Sequence, residues 1–221
     1  METTNANGWV DALKTFYIEG EYDNAEKLLL SKKGLYSPGA FHFNMGTLKV
    51  KKGSLGLARY NFEKALAEGY IGSQVFHNLN LVKEKIQVND ISTSKVWKDR
   101  ALDNLGMVSP HYYFGLTILL LILTFFLMRI NLLKSTKKII SVAVIALMPS
   151  IFQLTYLDKI RFAIVLEESG IYEGPSKIFT EIKMLDEGSK LIVKQKNGGW
   201  YFIVSPLSMT GWISKDKIAL Y

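Results

Sequence analysis

Two long uncharged runs dominate the hydrophobic pattern of this 221-residue chain. The first, YYFGLTILLLILTFFLM, begins at Tyr112 and stays mostly apolar to Leu133, and the second, IISVAVIALMPSIFQLTYL, covers residues 139–157. A helix needs about 20 apolar residues to cross a bilayer, and the core helices of soluble proteins normally keep a polar stripe. The pattern therefore predicts a transmembrane helical hairpin, with helices at 112–133 and 139–157.

The connection between these runs, residues 134–138, is basic. Lys134, Lys137 and Lys138 lie in it, and Arg129 precedes it. Cytoplasmic loops of membrane proteins are enriched in Lys and Arg. We therefore expect the loop inside the cell and both soluble parts outside it, which places a multi-pass protein in the inner (cytoplasmic) membrane of a bacterium with its soluble domains in the periplasm.

Export of the N-terminal part is a separate question. Residues 1–20 contain no apolar segment of the kind that a signal peptide needs. Either a signal preceded residue 1, or the N-terminal part is cytoplasmic. We expect the first.

The N-terminal 89 residues contain an internal repeat. EGEYDNAEKLL, from Glu19, aligns with KGSLGLARYNF, from Lys52, and FNMGTLKV, from Phe43, aligns with HNLNLVKE, from His77. This period of about 34 residues resembles that of tetratricopeptide repeats, which are antiparallel helix pairs. The resemblance implies an all-α repeat domain over residues 1–89, followed by a linker at 90–111. The family's small and bulky packing positions correspond to Gly46, Gly53, Ala58, Phe62 and Ala65.

The tetratricopeptide resemblance also implies a concave groove, formed by the first helix of each pair, that binds a peptide or protein segment. Asn44 matches one position of the family's carboxylate clamp, whereas Val10, Lys14, Gln74 and Asn78 depart from the others. We expect Asn44 and Asn78 either to hydrogen-bond a bound backbone or to be solvated. The predicted groove residues are Tyr17, Phe43, Asn44, Thr47, Lys51, His77, Asn78 and Leu81, with Val10, Lys14, Val50 and Lys85 on the same faces.

The polar segment between Asp90 and Ser109 is predicted to be a spacer near the bilayer surface. Residues 96–105 can form a short amphipathic helix. Trp97 in this helix is either an interfacial anchor or packed under the repeat, and we expect the second. Pro110 is expected in the first turn of the first membrane helix, because proline is favoured there.

Residues 162–221 consist of short alternating or β-branched runs separated by turn signals, which predicts a small all-β sandwich or barrel. The triplet Asn197-Gly198-Gly199 between KLIVKQK and WYFIVS is a strong hairpin signal. In order along the segment, YEGPS, Gly188, Trp200 and GWI resemble the bacterial SH3-like domain, some members of which bind cell-wall peptide.

The SH3-like resemblance makes four aromatic residues candidates for a binding surface. The alternative is that Trp200 and Trp212 pack the barrel and its rim, and we favour this alternative because a domain of this size has a small core. The four candidates are Tyr172, Trp200, Tyr201 and Trp212.

Charge and composition exclude several classes of function. The chain has a net charge of +7, but residues 112–161 alone hold six Lys and Arg against one Asp, beside the apolar runs. A nucleic-acid binder needs a basic face on a folded domain, and neither soluble part shows one. The chain has no cysteine. The histidines are dispersed, and no phosphate loop, dinucleotide fingerprint or nucleophile elbow is present. We expect no enzyme activity, no cofactor and no metal.

The order of repeats, two membrane helices and SH3-like domain resembles the BatE family of the Bacteroides aerotolerance operon type. This resemblance implies a non-enzymatic scaffold or adaptor of an envelope complex linked to stress tolerance. Its implied partners are membrane proteins with von Willebrand A domains, a BatD-like protein and, indirectly, a MoxR-type ATPase. The alternative is a cell-wall sensor that binds peptidoglycan peptide through the SH3-like domain.

Overall fold

The computed structural model describes residues 8–221, without the side chain of Gln195. In this part of the chain, eight α-helices precede a seven-stranded antiparallel sheet. The predicted order of helices first and strands afterwards is confirmed. Residues 1–7 of the predicted repeat domain lie outside the described residues.

Five helices form the helical domain, residues 8–86, and each packs against the next. Helix starts follow local sequence signals: Ser37 Oγ accepts a hydrogen bond from the Ala40 amide, and Pro38 occupies the first turn of the third helix. The five helices are α1 (Gly8–Ile18), α2 (Tyr22–Ser31), α3 (Pro38–Lys51), α4 (Leu55–Ala67) and α5 (Ser73–Ile86).

The contact between α3 and α4 depends on a small residue opposite a large one. A Cβ atom on Gly46 would lie 2.7 Å from the ring of Phe62, and Phe62 is fully buried. Any side chain on Gly46 would therefore push the two helices apart. Gly46 thus acts as a small packing position and Phe62 as a bulky one, in agreement with the assignment made from the sequence.

The connecting segment, residues 87–109, does not behave as a spacer. Asp90 and Ile91 are buried, and α6 (Trp97–Gly106) buries Asp99 and Asp103. Asp90, Asp99 and Asp103 each have a protein partner, namely Arg59, Ser205 and Lys190, and so the segment packs between the two soluble parts. Trp97 is 68% exposed, so the prediction that it packs under the repeat was wrong.

Two apolar helices follow, α7 (Pro110–Arg129) and α8 (Thr136–Thr155), and both are long and apolar enough to cross a membrane. We call this pair the apolar hairpin. Pro110 does occupy the first turn of α7, after Ser109 as N-cap. The helices begin earlier and end earlier than the runs predicted, because the turn between them occupies residues 130–135.

Small and polar side chains line the contact between α7 and α8. Thr117 and Gln153 are buried there, whereas most apolar side chains of the hairpin are exposed. Ser150 Oγ donates a hydrogen bond to Thr117 Oγ1 at 2.8 Å, and the Ser150 amide lies 3.1 Å from the same oxygen. Pro149 weakens the local helical ladder, and Thr117 supplies an acceptor for both the amide and the hydroxyl of the residue that follows it.

The β domain, residues 161–221, forms a single sheet in the order β3-β2-β6-β5-β4-β1-β7. The predicted hairpin at Asn197-Gly198-Gly199 is confirmed and joins β4 to β5. The strands are β1 (Arg161–Val165), β2 (Ser169–Tyr172), β3 (Glu181–Leu185), β4 (Lys190–Asn197), β5 (Trp200–Ser205), β6 (Gly211–Ser214) and β7 (Ile218–Leu220).

The sheet curls around one core but does not close. All seven strands contribute side chains to a single buried cluster, for example Ala163 from β1, Leu185 from β3 and Ile213 from β6. The strands β3 and β7 remain edge strands in the hydrogen-bonding order. The sequence predicted a small sandwich or barrel, and the structure shows an open, antiparallel sheet wrapped around its core.

Candidate functional site

The first candidate site is a groove on the helical domain, built by α1, α3 and α5. Three adjoining cavities follow this face, the largest about 420 Å³ in volume, and Thr47 lines all three of them. Tyr17 and Asn78 each line two. All eight predicted groove residues line these cavities, so the structure brings the predicted set together on one surface: Tyr17, Phe43, Asn44, Thr47, Lys51, His77, Asn78 and Leu81.

The charged side chains that line the groove in residues 8–221 are all positive. Lys14, Lys51 and Lys85 are among the residues that line it, and no acidic side chain in residues 8–221 does so. Lys51 Nζ lies 5.6 Å from the centre of the Tyr17 ring, which places the cation over an aromatic face. An occupant that carries carboxylates would meet only favourable charges along this face.

The polar residues of the groove are held in fixed positions by their own helix. Asn44 Nδ2 donates to the Ala40 carbonyl at 3.0 Å, and Thr47 Oγ1 donates to the Phe43 carbonyl at 3.0 Å. This arrangement leaves the side-chain oxygen of Asn44 as an acceptor for a ligand N–H. Phe43 is half-buried and stacks on Tyr70 at 5.0 Å, so it forms part of the wall.

The second candidate site is an aromatic face of the β domain. Trp200, Phe202 and Trp212 are half-buried residues on the outer side of β5 and β6, where Phe202 lies opposite Trp212 in the register. The rings of Tyr172 and Trp200 meet edge to face at 5.6 Å, and those of Phe202 and Trp212 at 5.4 Å. Tyr201 is buried in the core, because neighbouring residues of a strand point to opposite faces. Its assignment to this surface was wrong, and Phe202 takes that place.

The third feature is a buried ionic junction between the helical and β domains, which sequence reasoning missed. Lys190 Nζ lies 2.7 Å from a Glu63 carboxylate oxygen and 2.6 Å from an Asp103 carboxylate oxygen. Lys190 and Glu63 are both fully buried. The Lys190 ammonium also lies over the rings of Phe162 and Tyr221, whose centres are 4.8 and 5.6 Å away.

Arg59 extends this junction along α4. Its guanidinium lies 2.5 Å from a carboxylate oxygen of Asp90 and donates to the carbonyl of Gly188 at 2.9 Å. Asp90 in turn accepts from the backbone amide of Lys190 at 3.0 Å. Glu187 accepts from the amide of Gly56 at 2.6 Å. The turn between β3 and β4 is therefore fixed to α4 through both charges and backbone groups. We use the name "ionic junction" for Arg59, Glu63, Asp90, Asp103 and Lys190.

The ionic junction shifts the pKa values of Glu63, Arg59 and Lys190 in the direction that keeps each of these three groups charged. Burial alone would raise the pKa of Glu63, but Lys190 and Arg59 outweigh burial and lower that pKa to about 2. Burial would lower the pKa of Lys190, but Glu63 and Asp103 raise it instead. These groups therefore stay charged at neutral pH and are engaged with one another, which is the pattern of a structural contact and not of a free acid or base.

Comparison with known proteins adds no family assignment. No protein-family model matches the chain, and no curated protein matches it either. Among residues 8–221, no group of three or more His, Asp or Glu side chains is placed to hold a metal ion. The groove and the aromatic face are thus the surfaces from which a function can be argued.

Removing the central cation of the ionic junction should weaken the fold strongly. We expect Lys190→Met to lower the free energy of unfolding by about 3–5 kcal/mol, because Glu63 and Asp103 would be left buried without their cation. The double variant Glu63→Gln/Lys190→Met should lose less than the sum of the single variants. Chemical unfolding of the detergent-solubilised chain measures both. Lys217→Met, which breaks a surface pair with Glu167, is the control and should change stability little. Additive effects of the two junction variants would contradict the analysis.

The same junction predicts an acid-sensitive fold. The pKa of Glu63 falls from an ordinary 4.5 to about 2 in the folded chain. A lowered folded-state pKa stabilises the protein fully above the unfolded value, and the contribution is lost as pH falls through the window from 4.5 to about 2. Melting temperatures measured across this window should fall more steeply for the natural chain than for Glu63→Gln. Parallel curves for the two proteins would show that Glu63 is not the responsible group.

Proposed function

We propose that this protein is a membrane-anchored, non-enzymatic adaptor that captures an extended partner segment in the groove of its helical domain. The observation that carries this proposal is the continuous concave face of α1, α3 and α5, which carries lysines and amides and no acidic side chain among the described residues. The repeat period and the fit of Phe62 against Gly46 support a tetratricopeptide array. The turn signals and the single curled sheet support an SH3-like module.

Membrane anchoring by the apolar hairpin is the second part of the proposal. Most side chains of α7 and α8 are apolar and exposed, and a lipid bilayer would cover them. The ionic junction keeps the helical domain, which precedes the hairpin, in contact with the β domain, which follows it. Both domains then lie on one side of the bilayer, and the basic turn after α7 lies on the other. The excess of Lys and Arg in that turn favours a cytoplasmic turn and periplasmic domains at the inner membrane.

The charge of the groove indicates the chemistry of its occupant. Lys14, Lys51 and Lys85 favour a segment rich in Asp and Glu, and the amides of Asn44 and Asn78 suit the backbone of an extended chain. By the resemblance to the BatE family, the partners would be envelope proteins of the same operon. These are membrane proteins with von Willebrand A domains and a BatD-like protein, which would link the adaptor indirectly to a MoxR-type ATPase.

Reversing one groove charge tests the adaptor proposal. Labelled acidic peptides, and the same peptides with Gln and Asn in place of Glu and Asp, are titrated into the full chain in nanodiscs. We expect the acidic set to bind more tightly, and Lys51→Glu to weaken that binding by about tenfold, since a favourable contact becomes a repulsive one.

The matched control for this experiment is Lys27→Glu, an equal charge change on an exposed residue of α2 that does not line the groove. It should leave binding unchanged. Equal binding of the amide peptides, or an equal loss with the α2 variant, would refute capture by the groove lysines.

The half-exposed aromatic face of the β domain favours a second candidate function, that of a cell-wall sensor binding peptidoglycan peptide. Trp200 and Trp212 project from the outer side of the sheet, where they could stack on a ligand. On this reading, Trp212→Ala abolishes retention of the full chain on purified peptidoglycan. Trp97→Ala, a change of an exposed tryptophan outside the β domain, should not. Retention that survives Trp212→Ala would remove this candidate.

A further inference from the structure

The turn between β4 and β5 is basic and exposed. Lys194 and Lys196 lie on its β4 side, and the Lys215 amide donates to the Gly199 carbonyl at 2.8 Å, which brings a third lysine beside the turn. All three lysines are exposed, and among the described residues none of them forms an ion pair. The acid that follows Lys215, Asp216, accepts a hydrogen bond from a serine hydroxyl instead. We call Lys194, Lys196 and Lys215 the basic tip.

Helix α4 and strand β1 run side by side in opposite directions. At the start of α4, a Cβ atom on Gly56 would lie 2.7 Å from the carbonyl oxygen of Val165, the last residue of β1. Further along α4, the ring of Tyr60 lies 6.1 Å from that of Tyr221, whose backbone pairs with Phe162 near the start of β1. Because β4 is antiparallel to β1, β4 runs in the same direction as α4.

The far end of α4 lies where the chain enters the apolar hairpin. Gly69 follows α4 closely, and a Cβ atom on it would lie 3.6 Å from the hydroxyl of Ser109, the N-cap residue of α7. Ile71, two residues further on, is 58% exposed, so a large apolar side chain is uncovered at this level. With the hairpin in a bilayer, this end of α4 lies at the lipid headgroups.

The basic tip reaches the same level. From Gly56 to Gly69 the chain advances about 20 Å at the rise of an α-helix. Beside the start of α4, the Val165 amide donates to the carbonyl of Ser189, which directly precedes β4. From Ser189 to Asn197 the extended chain covers about 26 Å, or about 20 Å along α4 with the strand tilt that is usual in a curled sheet. The turn after Asn197 therefore lies at or just beyond the level where α7 begins.

We propose that the basic tip binds the headgroups of anionic phospholipids in the leaflet that the apolar hairpin enters. Lipid phosphates supply the negative charge that the protein does not provide to these three lysines, and lysines close to an anionic surface are attracted to it. The inference rests on the proposed membrane anchoring, which holds the tip at headgroup level. The tip gives the β domain an attachment to the bilayer besides the hairpin.

Lipid-selective quenching on the full chain tests this inference. Asn197→Cys places one thiol-linked fluorophore on the turn, because the chain has no cysteine of its own. The labelled chain is reconstituted into nanodiscs of phosphatidylcholine and phosphatidylglycerol, in which a trace of one lipid or the other carries a spin-label quencher. We expect labelled phosphatidylglycerol to quench about threefold more strongly than labelled phosphatidylcholine, because the lysines concentrate the anionic lipid around the probe.

A second probe position and two charge variants are the controls. Glu168→Cys, which replaces an exposed residue beyond the opposite end of β1, should be quenched little by either lipid. In the Asn197→Cys chain, neutralising the tip should make the two lipids equal quenchers, by Lys194→Gln/Lys196→Gln/Lys215→Gln. The preference should survive the neutralisation of three exposed lysines outside the tip and the groove, by Lys27→Gln/Lys95→Gln/Lys98→Gln.

Three results would overturn the inference: equal quenching by the two lipids beside the natural tip, equal quenching at positions 197 and 168, or the same loss of preference in both triple variants. Each of them is obtained on chains that have entered the nanodiscs, so membrane anchoring would stand. A chain that does not enter nanodiscs would instead refute the anchoring, and this inference with it.

Discussion

The position of one ammonium group determines how the soluble parts of this protein are arranged. Lys190 is fully buried and places its charge between Glu63 of α4 and Asp103 of α6. Buried charges are tolerated when their partners are complete, and removing one partner leaves a large desolvation cost uncompensated. Separating the helical and β domains would therefore expose or unpair Arg59 and Asp90 as well. The two domains form one unit because their charges are shared.

This junction also explains the placement of the other features. The side chain of Phe162 lies against Gly106, so the start of the β domain and the end of α6 meet where the apolar hairpin begins and ends. The groove is lined by α1, α3 and α5, with contributions from α2, whereas α4 carries Arg59 and Glu63 into the junction. Helix α4 thus supports the β domain without taking part in the groove, which leaves the concave face free for an occupant.

Much of this architecture follows from local patterns in the sequence. The apolar runs predicted α7 and α8, the resemblance to tetratricopeptide repeats implied the eight groove residues that line one face, and the Asn-Gly-Gly triplet predicted the β4–β5 turn. The two errors in side-chain placement have simple causes. Adjacent residues of a strand cannot share a face, so Trp200 and Tyr201 could not both belong to one surface, and alternation points to Phe202 instead. Trp97 was assigned by its apolar character alone.

The ionic junction could not be predicted in the same way, because its partners are far apart in sequence. Glu63 and Lys190 are separated by 127 positions. Glu63 has a local partner in Arg59, one turn earlier on α4, but that pair does not point to Lys190. The sequence did contain one signal, namely charged residues at positions where the surrounding pattern predicts apolar ones. Glu63 directly follows Phe62 in the sequence of α4, and Lys190 shares one face of β4 with Ile192, which is buried. A charge at a position that the hydrophobic pattern assigns to the core needs a counter-charge from elsewhere in the fold. Two such positions of opposite sign, one in each domain, indicate a contact between the domains, and a polar segment such as Asp90–Ser109 between them should then be treated as part of that contact.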